Sequence, residues 1–330
     1  FPAVPGHRIS DPSMQPRPSL RLLVVLLAAA LGLLPGSLGC RRAPKAATIR
    51  VSGAWALYPA MVRWAEAYER THPSIRIDVA AGGAGKGMTD CLAGMVELGM
   101  VSRDLRPEEL QKGIVPLPVA KDAVFAVVNA DNPALPGLLR RGLSRQMAAE
   151  LWTGGHPFTW DRLAPGGKGE ARVFTRSDAC GAAETWAQYL GGRQEDLKGV
   201  GLYGDPGLAQ AVCRDTQGIG FNNLNFAFDA RTGLPVKGLA VLPLDANGNG
   251  TVDPAEDLST RAKALAAIRS GAYPAPPARD LYLVLHGPVS PTLRAFLVWI
   301  LGEGQKVADE VGYIPVSEAQ RREALRVVGS

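Results

Sequence analysis

Thr175-Arg176-Ser177-Asp178-Ala179-Cys180-Gly181-Ala182 sets an arginine and an aspartate two residues apart, just ahead of a turn of small residues. Residues 171–175 before the turn read as a strand. Behind it Ala183, Trp186, Tyr189 and Leu190 recur on one helical face, which predicts a helix over residues 180–190. The first turn of a helix carries N–H groups without partners and the positive end of the helix dipole, and both draw anions. Arg176 adds a planar fork suited to an oxyanion. Two more glycine-rich turns into helices stand at residues 52–59 and 82–87. Each one alone reads equally as an ordinary capped helix. Together they point to several helix starts converging on one negatively charged ligand.

The same alternation runs through the rest of the chain. Residues 48–52 read as a buried strand, and Met61, Trp64, Ala65 and Tyr68 as one face of the helix that follows. Residues 75–80 alternate as a second strand. After the 82–87 turn comes a helix predicted to carry Met88, Leu92 and Met95 on one side. Residues 98–102 form a third short strand, and Pro107 opens a helix. A strand over 123–129 then ends in the turn cluster Asn129-Ala130-Asp131-Asn132-Pro133. Further helices are predicted over 143–152 and 207–214, a short strand over 218–221, and a closing strand and helix over 281–285 and 291–302. This pattern predicts an α/β fold with mostly parallel sheets, in which ligands lie off the carboxyl ends of the strands. A second structural unit begins near Asn129.

The N-terminal 40 residues read as a targeting segment. Arg17 and Arg21 precede an uncharged, mostly Leu, Val and Ala run over residues 22–39, and Cys40 follows Gly39. That order predicts a secretory signal ending at a lipidated Cys40, with residues 41–47 as a tether. A plain signal peptide or a lasting N-terminal anchor is the other reading. No other stretch is apolar for long enough to span a bilayer. The expected location is the periplasm or cell envelope, with membrane contact through the N-terminus only. Without residues 1–40 the chain loses Arg8, Arg17 and Arg21 against Asp11, so its net charge falls from +5 to +3. This mild excess suits an anionic ligand but supplies no basic tract of the kind nucleic-acid binders carry. Cys91, Cys180 and Cys213 are neither in a CxxC pair nor near a histidine cluster, which disfavours structural zinc. Pairing of Cys180 with Cys213 stays open at this point.

An ordered series of motifs resembles the phosphate-binding proteins of bacterial ABC transporters, within the type II periplasmic-binding-protein superfamily. The series runs Ser52-Gly53-Ala54-Trp55-Ala56-Leu57-Tyr58-Pro59, then Gly82-Gly83-Ala84-Gly85-Lys86-Gly87, then Gly99-Met100-Val101-Ser102-Arg103. It continues through Leu151-Trp152-Thr153-Gly154, Arg176-Ser177-Asp178-Ala179-Cys180-Gly181, Gly218-Ile219-Gly220-Phe221 and Gly312-Tyr313-Ile314-Pro315. The resemblance covers about residues 48–320. It implies two lobes joined by crossing strands, each a mostly parallel sheet flanked by helices, with the ligand cleft between them. The expected division is 48–128 for the first lobe, 129–275 for the second, and 276–330 for the return to the first.

The resemblance also implies capture of inorganic phosphate for an ABC importer permease, with no catalysis and no required cofactor. Arg176 would fork onto the anion and Asp178 would orient Arg176. Gly181, Ala56, Leu57, Ala84 and Gly85 would donate main-chain N–H groups, and Ser102 a hydroxyl. Cys180 stands where the family has serine, Ala182 where it has threonine, Leu57 where it has a hydroxyl residue and Ala84 where it has serine. Arg103, where some members carry an acid, is expected to add positive charge to the site. These departures keep a sulfate, molybdate or tungstate binder, or a ligand-less sensor or adhesion module, as the alternative.

Asp245-Ala246-Asn247-Gly248-Asn249-Gly250-Thr251-Val252-Asp253-Pro254-Ala255-Glu256 fits the twelve-residue EF-hand loop. Asp245, Asn247, Asn249, the Thr251 carbonyl, Asp253 and Glu256 would supply oxygens to a structural Ca2+. An Asx-rich surface insert that folds without metal is the plainer reading. For catalysis, His7, His72, His156 and His286 are scattered, and Cys180 at a helix start is the only nucleophile that stands out.

Overall fold

The computed structural model describes residues 47–329. The predicted signal segment, the lipidation candidate Cys40 and all of the predicted tether but its last residue lie outside the described residues. The strands are β1 (Ala47–Gly53), β2 (Ile75–Ala81), β3 (Leu98–Val101), β4 (Ile114–Asn129), β5 (Leu143–Ser144), β6 (Arg172–Arg176), β7 (Val200–Leu202), β8 (Gly218–Asn223), β9 (Leu239–Val241), β10 (Leu244–Asp245) and β11 (Ala278–His286). The helices are α1 (Tyr58–Thr71), α2 (Ala84–Leu92), α3 (Pro107–Gln111), α4 (Leu135–Arg141), α5 (Arg145–Thr153), α6 (Trp160–Leu163), α7 (Gly181–Leu190), α8 (Gly204–Arg214), α9 (Leu224–Ala227), α10 (Arg261–Ser270), α11 (Pro291–Leu301), α12 (Gly304–Glu310) and α13 (Glu318–Gly329).

Parallel pairing joins β2 to β1 and β1 to β3. β11 then lies antiparallel between β3 and β4, and β4 runs on past it to meet β8 and β9, also antiparallel. Parallel pairing resumes from β8 through β6 to β7. Two parallel sets therefore flank a crossing pair, in the order β2-β1-β3-β11-β4-β8-β6-β7 with β9 on β4. The mixed α/β fold is the one expected.

The apolar interior divides where β4 and β11 cross. One cluster, built around Trp64, Tyr68, Phe296 and Tyr313, draws on residues up to Ala120 and from Leu281 onward. The other, around Trp152, Trp160, Trp186, Phe221 and Phe228, draws on residues from Ala123 to Ala278. The first is lobe 1 and the second lobe 2. The change-over falls inside β4, ahead of Asn129, because the turn cluster after Asn129 ends a strand that both interiors share.

Two local differences from the expected elements have physical causes. β4 starts at Ile114, although Pro116 and Pro118 argue against a strand. They are tolerated because residues 114–120 pair with β11 on one side only, so the missing donors interrupt no second ladder. α2 stops at Leu92, and Gly94, with φ +65°, turns the chain so that Met95 is exposed instead of on the helix face. α8 starts at Gly204, and β8 extends through Asn222 and Asn223. These two extensions carry buried polar residues to the crevice between the lobes.

Candidate functional site

The carboxyl ends of β1, β2 and β6 lead into the starts of α1, α2 and α7, which meet at one place beside the end of β3. Gly53 makes this approach feasible. Its carbonyl accepts from Gly82 N (2.9 Å) and Gly83 N (3.0 Å), while Ala54 N donates to Met100 O (2.9 Å). With φ +133° and Gly87 Cα 2.8 Å from where a Cβ would stand, Gly53 leaves no room for a side chain. Ala56 and Leu57 are buried at the start of α1, and the Ala56 carbonyl accepts from Tyr313 Oη (2.6 Å). Ala84 is buried at the start of α2.

Lobe 1 touches lobe 2 directly here. Gly85 N donates to Ala179 O across the crevice (3.1 Å). A Cβ on Gly83 would stand 3.0 Å from Asp178 Oδ2, and one on Gly181 would overlap the Ser102 carbonyl and hydroxyl. At the rim, the Trp55 ring packs on Gly204 and meets Tyr203 edge-on at 6.1 Å. Ala56, Leu57, Ala84, Gly85, Ser102, Arg176, Asp178, Cys180 and Gly181 thus gather at helix starts and strand ends around one crevice.

The lobe 2 wall is charged and buried. Arg176 Nε and Nη2 donate to Asp178 Oδ1 (2.8 Å) and Oδ2 (2.6 Å), a bidentate pair. Nη1 faces Asp205 Oδ2 at 3.0 Å. The Arg176 side chain is 1% exposed and that of Asp205 0%, so water screens little of this attraction. Burial opposes the charge on Arg176, but Asp205 and Asp178 outweigh it and push its pKa up. Asp178 Oδ1 also accepts from Gly204 N (3.2 Å), and Gln194 Nε2 donates to the Asp178 carbonyl (2.7 Å). The chain through Asp205 continues, since Asn223 Nδ2 donates to Asp205 Oδ1 (2.8 Å). Arg279 donates to Asn223 Oδ1 through Nη2 and to Ser102 O through Nε (2.7 Å). Asp122, on β4, stands 3.9 Å from Arg279 Nη2. Burial raises the Asp122 carboxyl to about 6 despite that guanidinium.

Two expected roles change. Arg103 does not present a free fork, because both its terminal nitrogens pair with Glu109 (2.9 and 2.7 Å) and Nη1 also meets the Asp104 carbonyl (2.9 Å). Glu109 in turn accepts from Arg106 N, so the pair closes the start of α3. Cys180 is the N-cap of α7, with its Sγ accepting from Ala183 N (3.4 Å). Burial raises the thiol to about 12, with Asp178 and Asp205 adding to the rise against Arg176. A buried thiol raised in this way and engaged as a helix cap is a poor nucleophile. Cys91, Cys180 and Cys213 are all free, so the Cys180–Cys213 bridge does not form.

The Asp245–Glu256 loop closes on its own hydrogen bonds. Asp245 accepts from Asn249 N (3.1 Å) and Gly250 N (3.0 Å), and Glu256 from Ala246 N (2.9 Å) and Asp253 N (3.1 Å). Asp253 is held at the surface by the Asn247 and Asn249 amides. Among the described residues no group of three or more His, Cys, Asp or Glu is placed to hold a metal ion. The roomier hollows, about 490 and 740 Å³, lie on lobe 2 around His156, Arg172 and Lys198 and around Leu139, Val252 and Leu258, without a buried charge cluster.

The sequence reading missed Asp205, Asn223, Asp122 and Arg279. The Gly204-Asp205-Pro206 turn into α8 was the available signal, since it repeats the glycine-led helix start seen elsewhere. Asn223, Asp122 and Arg279 sit within or at the end of strands and carry no local mark of burial.

Residues 41–303 match the family model described as a PBP superfamily domain. The chain is 26% identical over 287 residues to the phosphate-binding protein PstS of Pseudomonas aeruginosa, covering 82% of this chain and 83% of that one. It is 25% identical over 317 residues to the protein SphX of Synechococcus elongatus, covering 91% and 87%. The fold superposes on an ABC-type phosphate transport receptor from Vibrio cholerae with a TM-score of 0.60 at 19% identity, covering 82% and 100% of the two chains.

Proposed function

The chain belongs to the PBP superfamily, and from that we propose that it captures inorganic phosphate outside the cytoplasm and delivers it to an ABC importer permease. The observation that carries this reading is Arg176, a buried guanidinium fixed by two carboxylates where the helix starts from both lobes meet. Asp178 takes Nε and one N–H of Nη2, and Asp205 faces Nη1, so the second N–H on each terminal nitrogen is held in a fixed plane to meet an oxyanion with little reorganisation. The starts of α1, α2 and α7 add main-chain N–H groups and the positive ends of their dipoles. Ser102 adds a hydroxyl next to Gly181. None of this breaks or forms a covalent bond, and the protein acts as a binder.

Closure follows from the same contacts. The Gly85–Ala179 bond and the Trp55–Tyr203 contact join opposite lobes, so parting the lobes would break both. A ligand touching both walls shifts the open–closed balance by its differential affinity for the two states. The closed form would be the one read by the permease. Anchorage through Cys40 belongs to this proposal too. Among the described residues no helix is long and apolar enough to cross a membrane.

Calorimetric titration of ligand-stripped protein with phosphate, arsenate, sulfate, molybdate and tungstate tests the reading. Micromolar or tighter phosphate binding supports it. Binding to none of them would leave the ligand-less sensor.

Calcium at the Asp245–Glu256 loop is a separate proposal, supported by the twelve-residue pattern and by the inward turn of Asp245 and Glu256. Its remaining oxygens would come from Asn247, Asn249 and the Thr251 carbonyl. A rise in Tm of several degrees in millimolar calcium, absent in the Asp245→Asn variant, is the expected result. An unchanged Tm would leave the loop as a self-closed insert.

A further inference from the structure

Arg279 is a buried cation without a carboxylate in hydrogen-bond contact. Its side chain is 5% exposed. The acceptors it reaches, Ser102 O and Asn223 Oδ1, are both neutral, and the nearest carboxylate oxygen, on Asp122, is 3.9 Å away. Its Nη1 is buried with no acceptor at all. A buried charge whose counter-charge stands off at 3.9 Å and an unpaired N–H are both costly, and burial pulls the pKa of Arg279 down against the pull of Asp122. Arg176 shows the contrast, with two carboxylates taking three of its nitrogens.

The position of Arg279 is as telling as its pairing. It lies on β11, one of the two crossing strands, and reaches the end of β3 in lobe 1 and the end of β8 in lobe 2. Ser102, to which it donates, abuts Gly181 at the start of α7. Asn223 and Asp205 link the two arginines in one chain of contacts.

We propose that Arg279 is a second anion-binding guanidinium of this crevice, donating through Nη1 to a doubly charged tetrahedral oxyanion held at the start of α7. The inference rests on the phosphate reading of the site and extends it to a residue that reading did not include. It also accounts for Leu57, Ala84 and Ala182 at positions without hydroxyls. A second full charge replaces several neutral donors, because a charge-assisted bond is worth about twice a neutral one.

The experiment is calorimetric titration of wild type, Arg279→Gln and Arg279→Lys with phosphate and with sulfate at pH 8, alongside the Tm of each ligand-free protein. The expected result is a rise in phosphate Kd of tenfold or more for Arg279→Gln, with Arg279→Lys in between. Ligand-free Tm values should stay within a few degrees of wild type. A phosphate Kd for Arg279→Gln within twofold of wild type overturns the proposal. If Arg279→Gln does not fold, Arg279→Lys decides. A rise of fivefold or more at unchanged ligand-free Tm supports the proposal, and a smaller one overturns it. Wild type that binds neither anion overturns the phosphate reading itself, a result separate from an unaffected Arg279 variant.

Discussion

The two walls of the crevice are built from opposite materials. On the lobe 1 side the turns into α1 and α2 bring Ala56, Leu57, Ala84 and Gly85 to the crevice. Contrary to expectation, Leu57 N and Gly85 N are taken by Ala54 O and Ala179 O, so the main-chain N–H groups of Ala56 and Ala84 are what these turns can give an anion. On the lobe 2 side Arg176, Asp178 and Asp205 form a buried ionic cluster with Cys180 at its edge. A main-chain wall is indifferent to side-chain chemistry as long as nothing bulky intrudes. A charged wall depends on every member, because removing one partner leaves its mate buried and unpaired, at about 3–5 kcal/mol. The lesson is that substitutions a few ångströms apart should differ greatly in cost.

The largest effect is expected at Arg176. Arg176→Ala removes a charge-assisted contact worth about 1.5–3 kcal/mol, so phosphate Kd should rise roughly tenfold to a hundredfold in calorimetry. It also strands Asp178 and Asp205, and the urea midpoint should fall. Wild-type affinity in this variant would show that the charged wall is not where the anion binds.

Next comes Gly181→Ala. The added methyl overlaps Ser102, so the lobes cannot shut as they do here. Phosphate binding should weaken about tenfold, roughly 1.4 kcal/mol, while the ligand-free Tm changes little if the open form relieves the overlap. Quenching of Trp55 fluorescence on closure should shrink in parallel. Unchanged quenching would mean that Gly181 does not govern closure.

Asp122 gives a smaller, pH-dependent effect. Its carboxyl rises to about 6 on folding, above the unfolded value near 3.9. The folded state therefore holds this proton more tightly than the unfolded one. The resulting stability is present at low pH and is lost as pH rises from about 4 to about 6, by up to about 2–3 kcal/mol. Asp122→Asn keeps an acceptor for Ala123 N and Leu224 N and should flatten that decline in urea midpoints measured from pH 4 to 8. A wild-type profile already flat over that range would contradict the assignment.

The smallest effect is expected on the main-chain wall. Ala84→Ser places a hydroxyl at a helix start where only N–H groups stand now, and phosphate Kd should change by threefold or less. A tenfold gain would mean that the turns into α1 and α2 can also recognise the ligand through side chains, and the contrast between the walls would fail.

Much of this architecture could be read from contiguous residues. A strand, a glycine turn and an amphipathic helix leave a mark within about 20 residues, and β1–α1, β2–α2 and β6–α7 were all legible for that reason. Arg176 and Asp178 were legible as well, being two residues apart at such a turn. Arg103 misled, because nothing in residues 99–104 shows that Glu109 will fold back to fill its fork. β4 reads short in the sequence, since whether a proline interrupts a ladder depends on which edge of the strand is paired.

What the order of amino acids settled alone was the local kind of structure and the chemistry at each turn, because backbone preferences and helix caps act between near neighbours. What only the folded chain decided was which turns meet and which charges pair. Asp205, Asn223 and Arg279 become neighbours of Arg176 because β4 and β11 cross between the lobes and α8 starts beside β6. The physical reason is that burial strengthens a charge pair only after tertiary packing has excluded water, and no single segment of the chain can do that.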